Sequence, residues 1–289
     1  MHQILFTVGG QPIYSHETFV ALGFLVGLAV FLLECRRRHA WDERLIPVIA
    51  GIVIGGALGA RLGGLAEVSV QDGPAAIVWA WNEVGRSILG GLAGAYVGTL
   101  IGKRIGGYPY RTGDLFAPAV AIGLAVGRIG CFLAEAPGRP TSLPWAITVD
   151  PAVRIPECPG CVAGVGMHPS FLYEIAFLVA VFVALLWARR RVHGPGELFV
   201  LFICAYAAFR FVVEFTRAND TLLWGLTGSQ VFILVTAPLL VARLVKSWRL
   251  GTFRQLRTPP PSMPPPGPVS LPPDPALVTT SPRPEESHG

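Results

Sequence analysis

Charged side chains are scarce in this sequence. Asp, Glu, Lys and Arg make up 14% of its 289 residues, whereas soluble globular domains typically carry about 25%. Hydrophobic residues account for 52% of the chain, and the mean hydropathy is +0.54. This shortage of charge, combined with long apolar runs, excludes an ordinary soluble enzyme and predicts an all-α integral membrane protein.

The N-terminus lacks a basic segment ahead of its first apolar run, so it does not have the pattern of a cleaved signal peptide. Arg36, Arg37 and Arg38 follow that run instead, and this order predicts an uncleaved span. The basic residues form no base-reading motif, and we expect no nucleic-acid partner.

Cysteine is also sparse. The chain has five cysteines, which are too few and too scattered to form a disulfide framework. Packed, inert thiols are expected for the three that lie in or beside apolar runs, which are Cys35, Cys131 and Cys204. Cys158 and Cys161 form "CPGC" in a polar loop, where a local disulfide and two free thiols both remain open. A zinc site there would need two further ligands, and only His168 is near in sequence. We therefore predict no metal site and no cofactor.

Apolar stretches long enough, or nearly long enough, to cross a bilayer predict seven transmembrane helices. They lie near 17–34, 45–66, 86–102, 114–134, 170–187, 197–215 and 229–247. The segments that follow spans one, three, five and seven carry 15 Lys and Arg residues together. The N-terminal segment and the loops after spans two, four and six carry 4. The positive-inside rule then places the N-terminus outside and the C-terminus in the cytoplasm.

The sequence divides into two regions at about residue 250. Residues 1–250 form the predicted transmembrane domain, and residues 251–289 form a proline-rich tail without apolar periodicity. Such a composition predicts a disordered cytoplasmic tail. Within the spans, glycines recur every fourth residue at 51–63 and again at 90–98, a spacing that predicts close helix packing.

The stretch "GRIGCFLAEAPGRPTSLPW", residues 127–145, places charge at the end of an apolar run. Arg128 lies within the run, and Glu135 and Arg139 follow it. A charge at that depth is costly and marks a candidate functional site. The stretch "YAAFRFVVEFTRAND", residues 206–220, places Tyr206 and Arg210 on one helical face.

Glu214 and Arg217 continue that face. An ion pair between helices is one interpretation of this stripe, and a site for an anionic ligand such as a lipid phosphate is the other. In "MHPSFLYEIAF", residues 167–177, His168 stands just before a helix start at Pro169. It is either an interfacial residue or a group that binds ligand or handles protons.

These motifs, in this order, resemble those of the prolipoprotein diacylglyceryl transferases. The segments "GRIGCFLAEAPGRPTSLPW", "HPSFLYE" and "FRFVVEFTR" carry the resemblance, together with "GARLG", "ILGGLAG" and "GSQVFIL". It covers about residues 13–248 and implies a seven-span bacterial inner-membrane enzyme. Such enzymes transfer the diacylglyceryl group of phosphatidylglycerol to the lipobox cysteine thiol of a preprolipoprotein and release glycerol phosphate.

The resemblance implies roles for the charged residues. Arg128 and Arg210 would bind the lipid phosphate and stabilise its developing charge, while Glu135 and Glu214 would orient the arginines or accept a proton. The remaining lipid-binding residues would be Arg61, Gly138, Arg139, His168 and Tyr206. Gly138 would let the backbone approach the ligand, and Arg139 would lie at the mouth of the site.

The sequence departs from the family pattern at several positions; besides those below, Ala134 stands where a second asparagine is expected, and one residue is missing before Glu135. The family's "GNFxNxE" reads "GCFLAE", so Cys131 replaces an asparagine, and the family's "HGGL" reads "LGGL", so Leu89 replaces a functionally important histidine. A leucine can neither accept nor donate a proton. His16 stands about where the family has a tyrosine, and we predict that it partly substitutes as the base.

Three functions remain open from the sequence. The first is diacylglyceryl transfer from phosphatidylglycerol to a lipoprotein precursor. The second is transfer from the same lipid to another acceptor, which Leu89 and Cys131 would favour. The third is a non-catalytic protein that binds or transports lipid, although the polar groups are concentrated in the outer halves of the later spans.

Overall fold

A computed structural model describes residues 4–73, 87–108, 111–135, 137–148, 164–192 and 195–251. The "CPGC" loop and the proline-rich tail lie outside these residues. Within them, seven long α-helices follow one another along the chain: α1 Ser15–Arg37, α2 Leu45–Asp72, α3 Ile88–Gly106, α4 Gly113–Ala134, α5 Ser170–Ala188, α6 Glu197–Val213 and α7 Gly228–Arg249. All seven coincide with the predicted apolar stretches.

Six of these helical segments are long and apolar enough to cross a membrane. The exception is α3, the span that the sequence marks as short and rich in glycine. Its last turn carries Lys103 and Arg104. The described part of the chain is thus a mostly helical, multi-span membrane protein.

Short antiparallel hairpins, which the sequence analysis did not predict, lie at the ends of several helices. They pair β1 Ile4–Val8 with β2 Gln11–Tyr14, β3 Ile147–Thr148 with β4 Gly166–Met167, and β5 Thr221–Leu223 with β6 Leu226–Thr227. All three belong to the loops that the charge count assigns to the outer side. They therefore lie at the same end of the helices as the charged stretches.

Glycines on α2 and α3 form a seam between these two helices, as the sequence spacing predicts. A Cβ atom added at Gly51, Gly55 or Gly59 would overlap a backbone carbonyl oxygen of α3. The backbones approach so closely only because these side chains are absent. The prediction of glycine-mediated packing is confirmed here.

A second glycine seam joins α1 to α4. A Cβ at Gly23 would overlap the Gly123 carbonyl oxygen, and a Cβ at Gly27 would lie 3.1 Å from the Ala119 carbonyl oxygen. Further along α4, a Cβ at Gly130 would lie 2.9 Å from Phe19 Cβ and 3.1 Å from His16 Cα. This contact brings the first turn of α1 against the last turn of α4.

The larger apolar core is formed mainly by α4, α5 and α6. Phe202 and Leu178 are completely buried in it, and Tyr206 is 1% exposed. Leu89, at the start of α3, belongs to the same core. The residue that replaces the family's histidine thus serves as apolar packing in this chain.

The opposite end of the helices has its own charged contacts. Glu34, 3% exposed in α1, forms ion pairs with Arg189 after α5 and with Arg37, the latter at 2.8 Å. Asp114 in α4 accepts hydrogen bonds from the backbone N–H groups of Gly196 and Leu198 at 2.8 and 2.9 Å. These bonds satisfy free N–H groups at the start of α6.

Candidate functional site

Arg128 lies in α4, about two turns before the helix ends, and only 4% of its surface is exposed. Its Nη2 atom forms an ion pair with Glu174 Oε1 at 2.7 Å. Glu174 is in the first turns of α5 and is completely buried. The acidic partner of Arg128 is therefore Glu174, a residue that the resemblance did not include among the carboxylates orienting the arginines.

The predicted stripe on α6 exists, although the helix ends sooner than the pattern suggested. α6 ends at Val213, and a 3₁₀ turn covers Glu214–Thr216. Tyr206 donates a hydrogen bond to Glu174 Oε1 at 2.9 Å, and Arg210 forms an ion pair with Glu214. The stripe thus converges on the same buried region as Arg128.

Arg217 adds a third guanidinium to this region. Its Nη1 lies 3.7 Å from Glu174 Oε2, and its Cζ lies 4.6 Å from the centre of the Phe171 ring. Burial lowers the pKa of Arg217, and the neighbouring arginines lower it further. We call Arg128, Arg210, Arg217, Glu174 and Glu214 the arginine cluster. It holds three cationic groups against two carboxylates.

Several buried donors of the arginine cluster have no hydrogen-bond partner among the described residues. These atoms are Arg128 Nε, Arg210 Nε and Arg217 Nη1; the ion-pair neighbour of Arg217 Nη1, Glu174 Oε2, lies 3.7 Å away, too far for a hydrogen bond, and has no hydrogen bond either. A buried donor without a partner is costly. One surplus positive charge and these free donors together suit an anion that accepts several hydrogen bonds.

Glu214 is fixed by further contacts. Its Oε1 accepts hydrogen bonds from Thr227 Oγ1 at 3.0 Å and from Asn219 Nδ2 at 2.6 Å. Thr227 is also the N-cap of α7, where it forms a capping box with Gln230. The orientation of Arg210 is thus linked to the start of the next helix.

A second polar group lies beside the arginine cluster and consists of His16, Cys131 and Glu135. His16 Nδ1 lies 3.3 Å from Glu135 Oε1 and 3.8 Å from Cys131 Sγ. The side chains of His16 and Glu135 are 33% and 40% exposed. Arg128 Nη1 lies 3.6 Å from Cys131 Sγ, so the two groups touch. We call these three residues the outer triad.

Glu135 is ionised in this arrangement. Burial alone would raise its pKa, but the hydrogen bonds from His16 and Cys131 and the charges of Arg128 and Arg217 lower the pKa to about 2. The residue is the C-cap of α4, in an extended conformation that turns away from the helix. The ion-pair partner of Glu135 is His16, which lies in the first turn of α1.

The loop after α4 holds Gly138 and Arg139 against two other segments. Gly138 N donates to the His168 carbonyl at 2.8 Å, and Arg139 N donates to the Thr216 carbonyl at 2.8 Å. A Cβ at Gly138 would overlap Thr216 O and Ser170 Oγ. The close approach at Gly138 is therefore to the protein's own atoms, whereas the sequence had suggested the ligand.

Arg139 is exposed, as expected for a residue at the mouth of the site, and its Nε donates to the Arg217 carbonyl at 2.9 Å. His168 Nδ1 lies 3.3 Å from the Tyr173 hydroxyl, which also accepts a hydrogen bond from Trp145 Nε1 at 2.7 Å. His168 thus has partners near the start of α5, as an interfacial residue would.

The structure brings most of the predicted residues together, and it adds others that the sequence analysis missed. Arg61 lies in α2, outside the two groups defined above, and its role stays a prediction. The missed residues are Glu174 and Cys131. Glu174 had a visible signal, because a carboxylate inside the apolar run of α5 is as costly as an arginine.

Comparison with known proteins supports the resemblance. The family model described as prolipoprotein diacylglyceryl transferase matches residues 3–246. The chain is similar to phosphatidylglycerol–prolipoprotein diacylglyceryl transferases from several bacteria. The protein from Cereibacter sphaeroides is 36% identical over 217 residues, which cover 68% of this chain and 73% of that protein.

The protein of the same name from Bordetella parapertussis is 34% identical over 73% of this chain and 81% of its own length. The one from Pseudomonas paraeruginosa is 34% identical over 82% of this chain and 91% of its own length. Since the family model covers nearly all of the described helices, this chain belongs to the prolipoprotein diacylglyceryl transferase family.

Proposed function

We propose that this protein transfers the diacylglyceryl group of phosphatidylglycerol to the lipobox cysteine thiol of preprolipoproteins and releases glycerol phosphate. The observation that carries the proposal is the arginine cluster, with its surplus positive charge and its unpartnered donors. The names of the related enzymes supply the substrates. A phosphodiester has the charge and the acceptor oxygens that such a cluster would bind.

Arg128 and Arg210 bind the lipid phosphate in this proposal. Each uses part of its guanidinium to pair with a glutamate, and each keeps a buried Nε–H without a partner among the described residues. A guanidinium has five donors, so the ion pair and the phosphate can be held at once. The glutamates then fix the orientation of the arginines, and the arginines stabilise charge on the leaving phosphate.

Tyr206 acts through Glu174 in this arrangement, since its hydroxyl donates to that carboxylate. The exposed Arg139 attracts phosphatidylglycerol towards the site. Gly138 and His168 hold the loop after α4 against the segment before α5 through backbone hydrogen bonds, and Arg139 N holds it against the 3₁₀ turn.

The family's histidine cannot serve as the base that deprotonates the acceptor thiol in this chain, because Leu89 takes its place and belongs to the apolar core. His16 is the predicted substitute. Its contact with the ionised Glu135 at 3.3 Å supports this role, since a carboxylate can orient an imidazole. We expect His16→Phe to abolish transfer while Arg128 remains intact, and unchanged turnover would reject His16.

We also propose seven membrane spans, with the N-terminus outside and the C-terminus in the cytoplasm of a bacterial inner membrane. The six apolar segments and the antiparallel pairing of α3 with α2 favour seven crossings. The basic residues at the ends of α1 and α3 favour this orientation. Residues 1–250 would form the catalytic domain and residues 251–289 a separate tail.

The direct test incubates the purified full chain with labelled phosphatidylglycerol and a lipobox peptide. We expect a thioether product that disappears in Arg128→Ala and persists in Arg104→Ala. Arg104 is a matched control because it is an exposed arginine in the last turn of α3, outside the arginine cluster. Label on another acceptor would instead favour a divergent transferase. Lipid binding without any product would favour a non-catalytic lipid-binding protein.

A further inference from the structure

The outer triad contains the three side-chain types that bind zinc: an imidazole, a thiol and a carboxylate. Their ligand atoms all lie within 4.8 Å of one another, and this is the one such group among the described residues. We propose that His16, Cys131 and Glu135 bind Zn²⁺, and that this ion activates the acceptor thiol. The second part rests on the proposed transferase function.

The distances within the outer triad fit a tetrahedral zinc centre. Zinc bonds of about 2.3 Å to sulfur and about 2.0 Å to nitrogen and oxygen place tetrahedral ligands about 3.6 Å apart for S···N and about 3.3 Å apart for N···O. In the structure the Cys131 Sγ to His16 Nδ1 distance is 3.8 Å, and the His16 Nδ1 to Glu135 Oε1 distance is 3.3 Å. The two distances that involve His16 therefore match tetrahedral spacing, and all three ligand atoms lie within 4.8 Å of one another.

The charges also balance. A thiolate, a carboxylate and a neutral imidazole around Zn²⁺ form an electrically neutral centre, which suits a partly buried position near the membrane surface. The neighbouring cation is Arg128, whose Nη1 lies 3.6 Å from Cys131 Sγ. Its charge is offset by Glu174 at 2.7 Å, so repulsion of the metal is reduced.

The local fold holds the ligands in place. Cys131 and Glu135 are four residues apart, and Glu135 N donates to the Cys131 carbonyl at 2.8 Å, so both side chains lie on one face at the end of α4. His16 reaches them from α1 because Gly130 has no side chain and lets the His16 backbone approach. The ligands thus come from rigid helix ends.

Three protein ligands leave one tetrahedral position for another molecule. The partial exposure of His16 and Glu135 allows a substrate thiol to reach that position. Zinc binding would convert the thiol to a thiolate, with release of its proton to water. The thiolate would then attack the diacylglyceryl carbon that bears the phosphate and form a C–S bond. The bond from that carbon to the phosphate oxygen would break, and its electron pair would leave with glycerol phosphate.

This mechanism accounts for the departures at three positions at once. The chain has Leu89 in place of the family's histidine, and it has His16 and Cys131 where the family has a tyrosine and an asparagine. A metal-bound thiolate removes the need for a separate base. His16 would then bind zinc through Nδ1 and would not itself be the base, so the role of ligand replaces the role of base proposed above for this residue.

The first test measures zinc in the purified full-length protein by elemental mass spectrometry. We expect about one zinc per chain in the wild type and in Cys204→Ser, whose thiol lies in α6 outside the outer triad. Cys131→Asn and His16→Tyr, which introduce the family's residues, should each lower the zinc content at least tenfold. A wild-type protein with no zinc after purification in zinc-containing buffer would overturn the site.

A second test replaces zinc with Co²⁺ and records the visible spectrum. We expect a sulfur-to-cobalt charge-transfer band that is lost in Cys131→Asn and that grows when a lipobox peptide, but not its Cys→Ser analogue, is added. Failure of the peptide to change the spectrum would overturn thiol activation. Full transfer activity in a zinc-free protein would refute thiol activation by zinc and leave the transferase function intact. Zinc binding without transfer to any lipobox peptide would refute the proposed function, and thiol activation with it, and leave the metal site intact.

Discussion

At the scale of single residues, Glu174 is the centre of the arginine cluster. It is completely buried and contacts Arg128, Arg217 and Tyr206. Removing one partner from a buried ion pair is strongly destabilising, because the other charge is left without compensation. The stability of the site should therefore depend on this carboxylate more than on the hydroxyl that donates to it.

We predict that Glu174→Gln lowers the stability by about 3–5 kcal/mol. Tyr206→Phe removes one hydrogen bond and leaves the Glu174–Arg128 pair, so it should cost about 1 kcal/mol. Thermal unfolding in detergent, followed by circular dichroism, compares the two variants. Equal loss in both would show that Glu174 does not carry the compensating charge.

The residue scale also shows what the sequence can and cannot predict. Arg128, Arg210 and Glu214 stand out because charges in apolar runs are costly, and the structure brings them together. The contact between His16 and Cys131 joins residues 115 positions apart in the chain. No local spacing in the sequence indicates such a contact. The sequence-based prediction of no metal site therefore considered only ligands near "CPGC".

At the scale of secondary-structure elements, the glycine seam between α2 and α3 depends on particular positions. A Cβ at Gly55 would overlap the Gly94 carbonyl oxygen, whereas a Cβ at the neighbouring Gly56 would lie 3.6 Å from Ala95 Cβ, an ordinary contact. The two glycines are adjacent in sequence and differ only in the face they occupy. They therefore form a matched pair.

We predict that Gly55→Ala destabilises the protein by about 1–3 kcal/mol, because the two backbones must separate. Gly56→Ala should change the stability by less than about 0.5 kcal/mol. Midpoints of thermal aggregation in detergent measure the difference. If Gly56→Ala were the more damaging of the two, the described packing of α2 on α3 would be wrong.

The helices themselves were largely predictable from the sequence. Apolar runs gave the bounds of α4 and α5 to within one residue, since hydrocarbon requires continuous apolar surface. The hairpins were missed because they are only two to five residues long and have few alternating positions. The end of α6 at Val213 was missed because the polar residues of the stripe keep helical spacing in the sequence beyond that point, through Glu214 in the 3₁₀ turn.

At the scale of the whole molecule, the two ends of the helices carry different charged groups. The arginine cluster and the outer triad lie at the end that carries the hairpins, and Glu34 with its arginine partners lies at the other. Basic loops are concentrated at the Glu34 end. The proposed orientation therefore places the reactive groups at the outer leaflet, where a preprolipoprotein would meet phosphatidylglycerol.

We predict that alkaline phosphatase inserted after Gly225, in the turn of the β5–β6 hairpin, is active in cells. The same reporter fused after Gly251 should be inactive, since that residue follows α7 at the end that the proposed orientation places in the cytoplasm. Enzyme activity normalised to protein amount measures both. Activity of only the Gly251 fusion would reverse the proposed orientation.

We propose that buried guanidinium groups hold the phosphate of phosphatidylglycerol through paired hydrogen bonds, and Arg210→Lys is the variant that addresses this claim. The lysine retains a positive charge opposite Glu214, so the fold should be preserved, but an ammonium cannot reproduce the planar fork of a guanidinium. The measurement is kcat/KM for transfer from phosphatidylglycerol to a lipobox peptide, made on protein with an unchanged thermal midpoint. We predict a fall of at least about tenfold, equivalent to about 1.4 kcal/mol, whereas full activity with lysine at this position would contradict the claim.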